Sequence, residues 1–518
     1  MTAIPLLTLL TALPLIGAFA VLGLGTKNKR AARSLALIFS FAALAMVLVL
    51  WHGFNPASGE LQFEELHGWI PAIGVQYHLG IDGIGLLMLL LSAIVVPMSI
   101  AASWQVEENA PLYFFLMLCL QAGLFGTFSA LNFFHWFIFW ELSLVPAFFL
   151  IRLWGGARCA VAATQFFVYA MVGSVALLLA FLAIFRSTGT FDFISLSVMA
   201  RDGQLIPALV GKIDWHALMS QHVALVIFCG AFLGFAVKVP LIPFHTWLPD
   251  AYAEAPTGTT MLLTGAMSKM GVYGFLRILL PIFYMEMRSV RTPLLWFAVA
   301  TIVLSAYAAI VQTDLKRILA YSSINHLGYC MLGIFSAATF TGEGAVFATA
   351  KMAALSGVIL QMFNHGLTAA TLFWFVALLE KRSGGLRGLN DFGGLRKVAP
   401  VFCGLMGIAM FSSLGLPGLN GFVGEFLIFR GAFPLATWAS ALAVLGLLAT
   451  AIFIPTILQR VFSGPLNERW ATLRDLTNGE RLALLPPIAI MFVLGIYPQL
   501  VLGVINSTAM KLAEQLSH

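Results

Sequence analysis

Apolar residues in this chain neither alternate with polar ones nor keep to one helix face. They run on for about twenty positions at a time between short polar clusters, and about twenty apolar helical residues cross the ~30 Å hydrocarbon core of a bilayer. The runs fall near residues 4–25, 31–51, 83–102, 111–129, 132–153, 164–186, 222–244, 257–281, 293–311, 316–337, 345–379, 399–433, 437–461 and 484–506. The pattern predicts an all-α, polytopic membrane protein of about fourteen transmembrane helices in a single membrane domain, 1–518.

Two runs carry a comparable interruption, Phe232–Pro249 (FLGFAVKVPLIPFHTWLP) in the seventh and Met410–Phe426 (MFSSLGLPGLNGFVGEF) in the twelfth. Proline removes a backbone N–H and clashes with the preceding turn, so each helix should break at membrane depth. Broken helices at corresponding places in two halves point to an ion site at a repeat interface. The five-span separation predicts two inverted five-helix repeats, 111–281 and 293–461, with helices 7 and 12 broken. The polar connection Ser187–Gln221 is too short for a further domain.

Composition agrees: 60% of the 518 residues are hydrophobic and 10% charged, against about a quarter charged in soluble domains. The net charge of +6 reads as loop asymmetry rather than nucleic-acid binding. Odd-numbered loops hold Lys27–Arg33, Arg152, Arg158, Lys316, Arg317, Lys381–Lys397 and Arg460–Arg481, whereas the second loop has Glu60, Glu64 and Glu65 and no Lys or Arg. The positive-inside rule then puts the N-terminus outside. Basic residues follow the first span and none precedes it, so it reads as a retained span and not a signal peptide. Cys119, Cys159, Cys229, Cys330 and Cys403 have no CxxC spacing and read as core fillers. No GxGxxG after a strand, P-loop or cluster motif is present, so no cofactor is expected in this chain.

The candidate chemistry lies in charges at membrane depth, where each costs at least about 2.5–3.5 kcal/mol and usually serves function. Glu141 sits inside FFHWFIFWELSLVPAFFL, and Lys238 two residues before Pro240, where freed carbonyls can solvate an ammonium. A pair of these two would titrate as a unit, a proton switch; the plainer alternative is a structural ion pair. Lys269 is the next mid-span charge, with a helix–helix contact as its alternative. His326, about 13 Å along its helix from the Asp314–Arg317 turn, and His365 suit a relay near neutral pH. Glu425 closes the second break. Lys351 reads as snorkelling, and Arg152, Arg277 and Glu380 as span-end anchors. The remaining histidines, His78 among them, lie in loops or near span ends without metal-ligand spacing.

The segments YHLGIDGIGLL (77–87), NFFHWFIFWELSLVPAFFLIRLW (132–154), FAVKVPLIPFHTWLPDAYAEAP (235–256), DLKRILAYSSINHLGY (314–329), QMFNHGLTAATLF (361–373) and LPGLNGFVGEFLIF (416–429) resemble the antiporter-like subunits of respiratory complex I. The likeness is nearest to subunit M, because Glu425 stands where the L and N subunits carry a lysine and no long lateral helix follows the last span. The resemblance implies a proton path through Glu141, Lys238, Lys269, His326 and His365, with Glu425 as the exit carboxylate. It also implies L- and N-type neighbours in a bacterial inner membrane, and quinone reduction in other subunits. The segment around Lys269 (TGAMSKMGVYG) departs from the commonest bacterial version. A related subunit of a ferredoxin:quinone, CO2-uptake, hydrogenase or cation/proton antiporter complex is the alternative, and a self-contained solute transporter the third reading.

Overall fold

A computed structural model describes residues 4–25, 28–71, 74–212, 222–342 and 344–516. Lys27, His216 and His518 therefore lie outside the described residues. Among those described, eleven helices are long and apolar enough to cross a membrane, from Leu6–Gly23 to Asn478–Ile496. The chain is a multi-pass helical membrane protein. Asn and Asp cap helices at the bundle ends: Asp82 accepts from Ile84 N and Gly85 N at 3.1 Å, and Asn132, Asp192 and Asp314 do the same for the helices they precede.

Both expected breaks are present. Helix Val223–Lys238 stops before Pro240 and resumes as Trp247–Glu254, and helix Pro400–Ser413 stops before Pro417 and resumes as Asn420–Leu435. The polar groups freed at the first break find partners. Val237 O accepts from Trp247 Nε1 at 3.1 Å, and Ile242 N donates to Thr301 Oγ1 at 3.0 Å. The second break turns through Gly415 and Gly418 at φ +79° and +93°, conformations that glycine adopts without a steric penalty.

The connection 54–82 adds a short antiparallel hairpin to the helical fold, β1 (Gln62–Ile70) and β2 (Val75–Ile81). Several finer expectations need correction. The last span is Asn478–Ile496 and not 484–506; the chain turns at Pro498 into a separate helix, Gln499–Gln515. That helix lies on the hairpin end of the bundle, where Thr508 Oγ1 accepts from Gly83 N at 3.1 Å and Lys511 pairs with Glu60. Lys351 does not snorkel: it is buried and donates to Leu516 O at 3.0 Å, beside Arg288 at 2.6 Å. Arg277 is inward-facing and paired with Asp82 at 2.5 Å. Glu380 pairs with Lys316 at 3.3 Å and Arg387 at 3.6 Å. Of the cysteines, Cys119 and Cys330 are buried, Cys159 and Cys403 partly so, and Cys229 is exposed on the bundle surface.

His78 is no idle loop residue. It joins β2 to Asp192 (2.6 Å) and Glu64 (2.8 Å). Burial works against its charged form, but the hydrogen bonds and attraction from the two carboxylates outweigh burial and raise it above its ordinary value of 6.5. Asp192 is held below its ordinary 3.8: burial opposes this, and the His78 and Ser195 hydrogen bonds overcome it. A raised histidine stabilises the folded state fully below its unfolded value, and that stability is lost as pH rises through the folded value. Hydrogen-exchange protection of the hairpin amides is therefore expected to fall between about pH 6 and about pH 9, and to lose this dependence in His78→Asn. Equal protection factors at both pH values would contradict it.

Candidate functional site

Lys269 lies on the seven-residue segment Ser268–Gly274, between π-helical turns at Leu263–Met267 and Phe275–Leu279. Such turns re-aim side chains and recur at functional sites. Its helix meets the His365 helix closely because both are bare there: a Cβ at Gly366 would fall 2.5 Å from Gly265 O. The close approach brings Lys269 Nζ within 2.8 Å of His365 Nδ1. Thr264 O and Ser268 Oγ complete the surroundings of this ammonium, which is wholly buried.

From His365 the string continues. Its ring lies 5.0 Å from that of His326, whose Nδ1 approaches Glu425 Oε1 at 2.9 Å and whose Nε2 lies 3.2 Å from Ser413 Oγ. Gln361 Nε2 donates to the same Glu425 oxygen at 3.3 Å. Four of the six candidate residues thus form one row through the bundle interior, Lys269, His365, His326 and Glu425. A cavity of about 10 Å³, lined among others by His326, His365, Thr368 and Glu425, lies against the row. That is close to the space needed for one water.

The other two candidates are near each other but not in contact. Lys238 is buried at the end of its half-helix, where the helix dipole favours a cation, with Nζ 4.7 Å from the Trp140 ring centroid. Glu141 lies on the helix Phe133–Trp154 within reach of its charge, with Oε1 buried and unpaired, yet the two form no ion pair within 4.0 Å among the described residues. The expected direct pair is therefore open. Trp140, pinned by Nε1 to Ser174 Oγ at 3.1 Å, lies against the lysine.

Sequence reading missed the polar groups that hold the second break. Asn364 Nδ2 donates to Asn420 O at 2.6 Å, Ser412 Oγ to Asn420 Oδ1 at 2.5 Å, and Thr368 Oγ1 lies 3.1 Å from Ser412 Oγ. Their signal was spacing: Gln361, Asn364, His365 and Thr368 share one helix face, and that face meets the break.

Interrupted helices around a row of buried protonatable groups define an antiporter-like membrane subunit. The comparisons agree. The family described as NADH:quinone oxidoreductase/Mrp antiporter, TM, matches residues 130–452. NADH-quinone oxidoreductase subunit M of Rhodobacter capsulatus is 35% identical over 515 residues, covering 98% of this chain and 96% of that protein. F(420)H(2) dehydrogenase subunit M of Methanosarcina mazei is 35% identical over 523 residues, covering 98% of each. Among solved structures, respiratory complex I from Thermus thermophilus contains a chain that superposes with TM-score 0.83 at 26% identity, covering 99% of this chain and all of that one. A chain of the Mrp complex from Dietzia shares the fold, with TM-score 0.82 at 20% identity over the full length of both. This chain belongs to the NADH:quinone oxidoreductase/Mrp antiporter membrane-subunit family, and within it stands with the M subunits.

Proposed function

We propose that this chain is the M-type proton-translocating subunit of an NADH:quinone oxidoreductase in a bacterial inner membrane, flanked by L- and N-type neighbours. The observation that carries the reading is the row Lys269–His365–His326–Glu425, with its two imidazole rings 5.0 Å apart. Each member can hold and release a proton, and no contact along the row is longer than one water would bridge. Glu141 and Lys238 act beside it as a charge switch: bringing them together favours the lysine ammonium, and separating them favours its release of a proton. Electrons and quinone are handled in other subunits.

The two breaks support the paired inverted repeats 111–281 and 293–461, each contributing one half-helix end to the membrane interior. The basic clusters near Arg158, Lys316, Arg387 and Arg396 share the end opposite the hairpin, which supports N-terminus outside. The equal identity to the F(420)H(2) dehydrogenase subunit favours one second reading, the same subunit in a complex with another electron donor.

Everted membrane vesicles separate these readings. NADH is expected to drive proton uptake that an uncoupler abolishes. Uptake with a different reduced donor and none with NADH would support the second reading, and sodium movement without proton uptake would contradict both. In intact cells a cysteine at position 60 is expected to react with an impermeant label and one at position 387 is not; the reverse pattern overturns the orientation.

A further inference from the structure

The half-helix Trp247–Glu254 ends at the basic face of the bundle, and groups from outside it take the carbonyls at that end. Tyr252 O accepts from Thr260 Oγ1 at 3.0 Å and Ala253 O from Arg387 Nη1 at 2.6 Å. Glu254 O accepts from Gly156 N at 2.8 Å and Ala255 O from Lys316 Nζ at 3.2 Å. The two cations of this socket are fixed in turn. Glu380 pairs with both, and Asp314 takes Arg387 Nε. Two backbone bonds, Leu315 N to Arg387 O at 2.9 Å and Leu389 N to Thr313 O at 2.8 Å, hold the loop that carries Arg387. The opposite end of the half-helix reaches Lys238. Its first residue, Trp247, donates from Nε1 across the break to Val237 O at 3.1 Å, one residue before the lysine, and its ring packs on Phe166 with centroids 5.2 Å apart.

The bland reading is capping: a cation at a helix C-terminus satisfies free carbonyls and suits the helix dipole. Capping does not account for where the cations come from. Lys316 opens the helix of His326, and Arg387 follows the helix of His365, so the socket ties the half-helix to both elements that carry the row. Nor does it account for the far end. Eight residues of helix, about 12 Å, join the socket to a carbonyl that the break leaves beside the lysine. A short helix held at both ends passes a displacement of one end to the other.

We propose that Lys316 and Arg387 are positioning residues for Lys238, acting through the half-helix Trp247–Glu254 as a rigid strut. The proposal rests on the reading of Lys238 as part of the charge switch. No proton passes along the strut, because the Arg387 guanidinium stays charged and the contacts at both ends are to backbone carbonyls. Its effect is geometric. While the socket is closed, Trp247 occupies the Val237 carbonyl; a shift of the strut frees that carbonyl beside the Lys238 ammonium and changes how readily the lysine gives up its proton. The socket thereby ties the setting of the switch to the positions of the two histidine helices.

The test measures proton uptake per assembled complex in everted vesicles, as a function of pH, for Arg387→Gln, Trp247→Phe, the two combined and Lys238→Met. Arg396→Gln, at an exposed position outside the socket, is the control. Trp247→Phe keeps a ring against Phe166 and every ion pair and removes the bond to Val237 O, so it tests the strut even where Arg387→Gln assembles poorly. Each single variant is expected to lower uptake about fivefold and to move the pH of half-maximal uptake in the same direction. The combined variant is expected to lose no more than the larger single loss, because both changes act through one piece. Arg396→Gln is expected to keep the wild-type rate and pH profile. Lowered uptake with an unmoved pH profile overturns the strut in favour of a structural anchor, and so do losses that multiply in the combined variant. Wild-type uptake in Trp247→Phe, with Lys238→Met inactive, overturns the strut and leaves the switch standing. Wild-type uptake in Lys238→Met overturns the switch itself.

Discussion

Glu141→Gln and Lys238→Met are each expected to suppress coupled proton uptake about tenfold or more, a change of about 1.4 kcal/mol per factor of ten in rate. On the proposed function the redox chemistry lies in other subunits, so the loss reports on proton transfer. Lys238 is enclosed by Trp140 and the end of its own half-helix, and Glu141 is the carboxylate whose charge it feels. Removing either leaves the other's charge uncompensated inside the bilayer. Glu141→Asp keeps the charge and is expected to retain substantial uptake. The double variant divides the two roles. Deleting both members of a merely structural pair often restores what one deletion costs, so that role expects the double variant to assemble and pump. A switch expects it to assemble and remain inactive.

The features legible in the sequence were those whose physics is local. A proline in an apolar run must break its helix, and both breaks fall where Pro240 and Pro417 put them. A charge amid apolar neighbours must be buried or span the core at a cost, and Lys238, Lys269, His326, His365 and Glu425 are all buried. What the sequence hid depends on which face of a helix turns inward. Arg277 and Lys351 stand at positions from which a long side chain could reach water, and only the packing shows that they point to Asp82 and Leu516. The contact between Lys269 and His365 rests on Gly265 meeting Gly366 across two helices about a hundred residues apart. Pro498 was read through because the residues on both sides of it are apolar; the amphipathic spacing beyond it was the missed signal.

The row from Lys269 to Glu425 makes the sharpest demand, since it requires Lys269 to release its proton and not only to carry charge. Lysine can do this in a buried site, whereas the arginine guanidinium stays charged in proteins. Lys269→Arg keeps the positive charge beside His365 and removes the ability to pass a proton on. Glu425→Gln interrupts the other end, keeping the shape that meets Gln361 and His326 while removing the carboxylate. A structural role for these groups expects the charge-conserving change to be the milder of the two, and a relay expects both to be inactive. Proton uptake by everted vesicles carrying the fully assembled Lys269→Arg complex is the most direct measurement. The row expects uptake to fall about tenfold or more, and uptake at the wild-type rate would show that protons cross this protein without passing through Lys269.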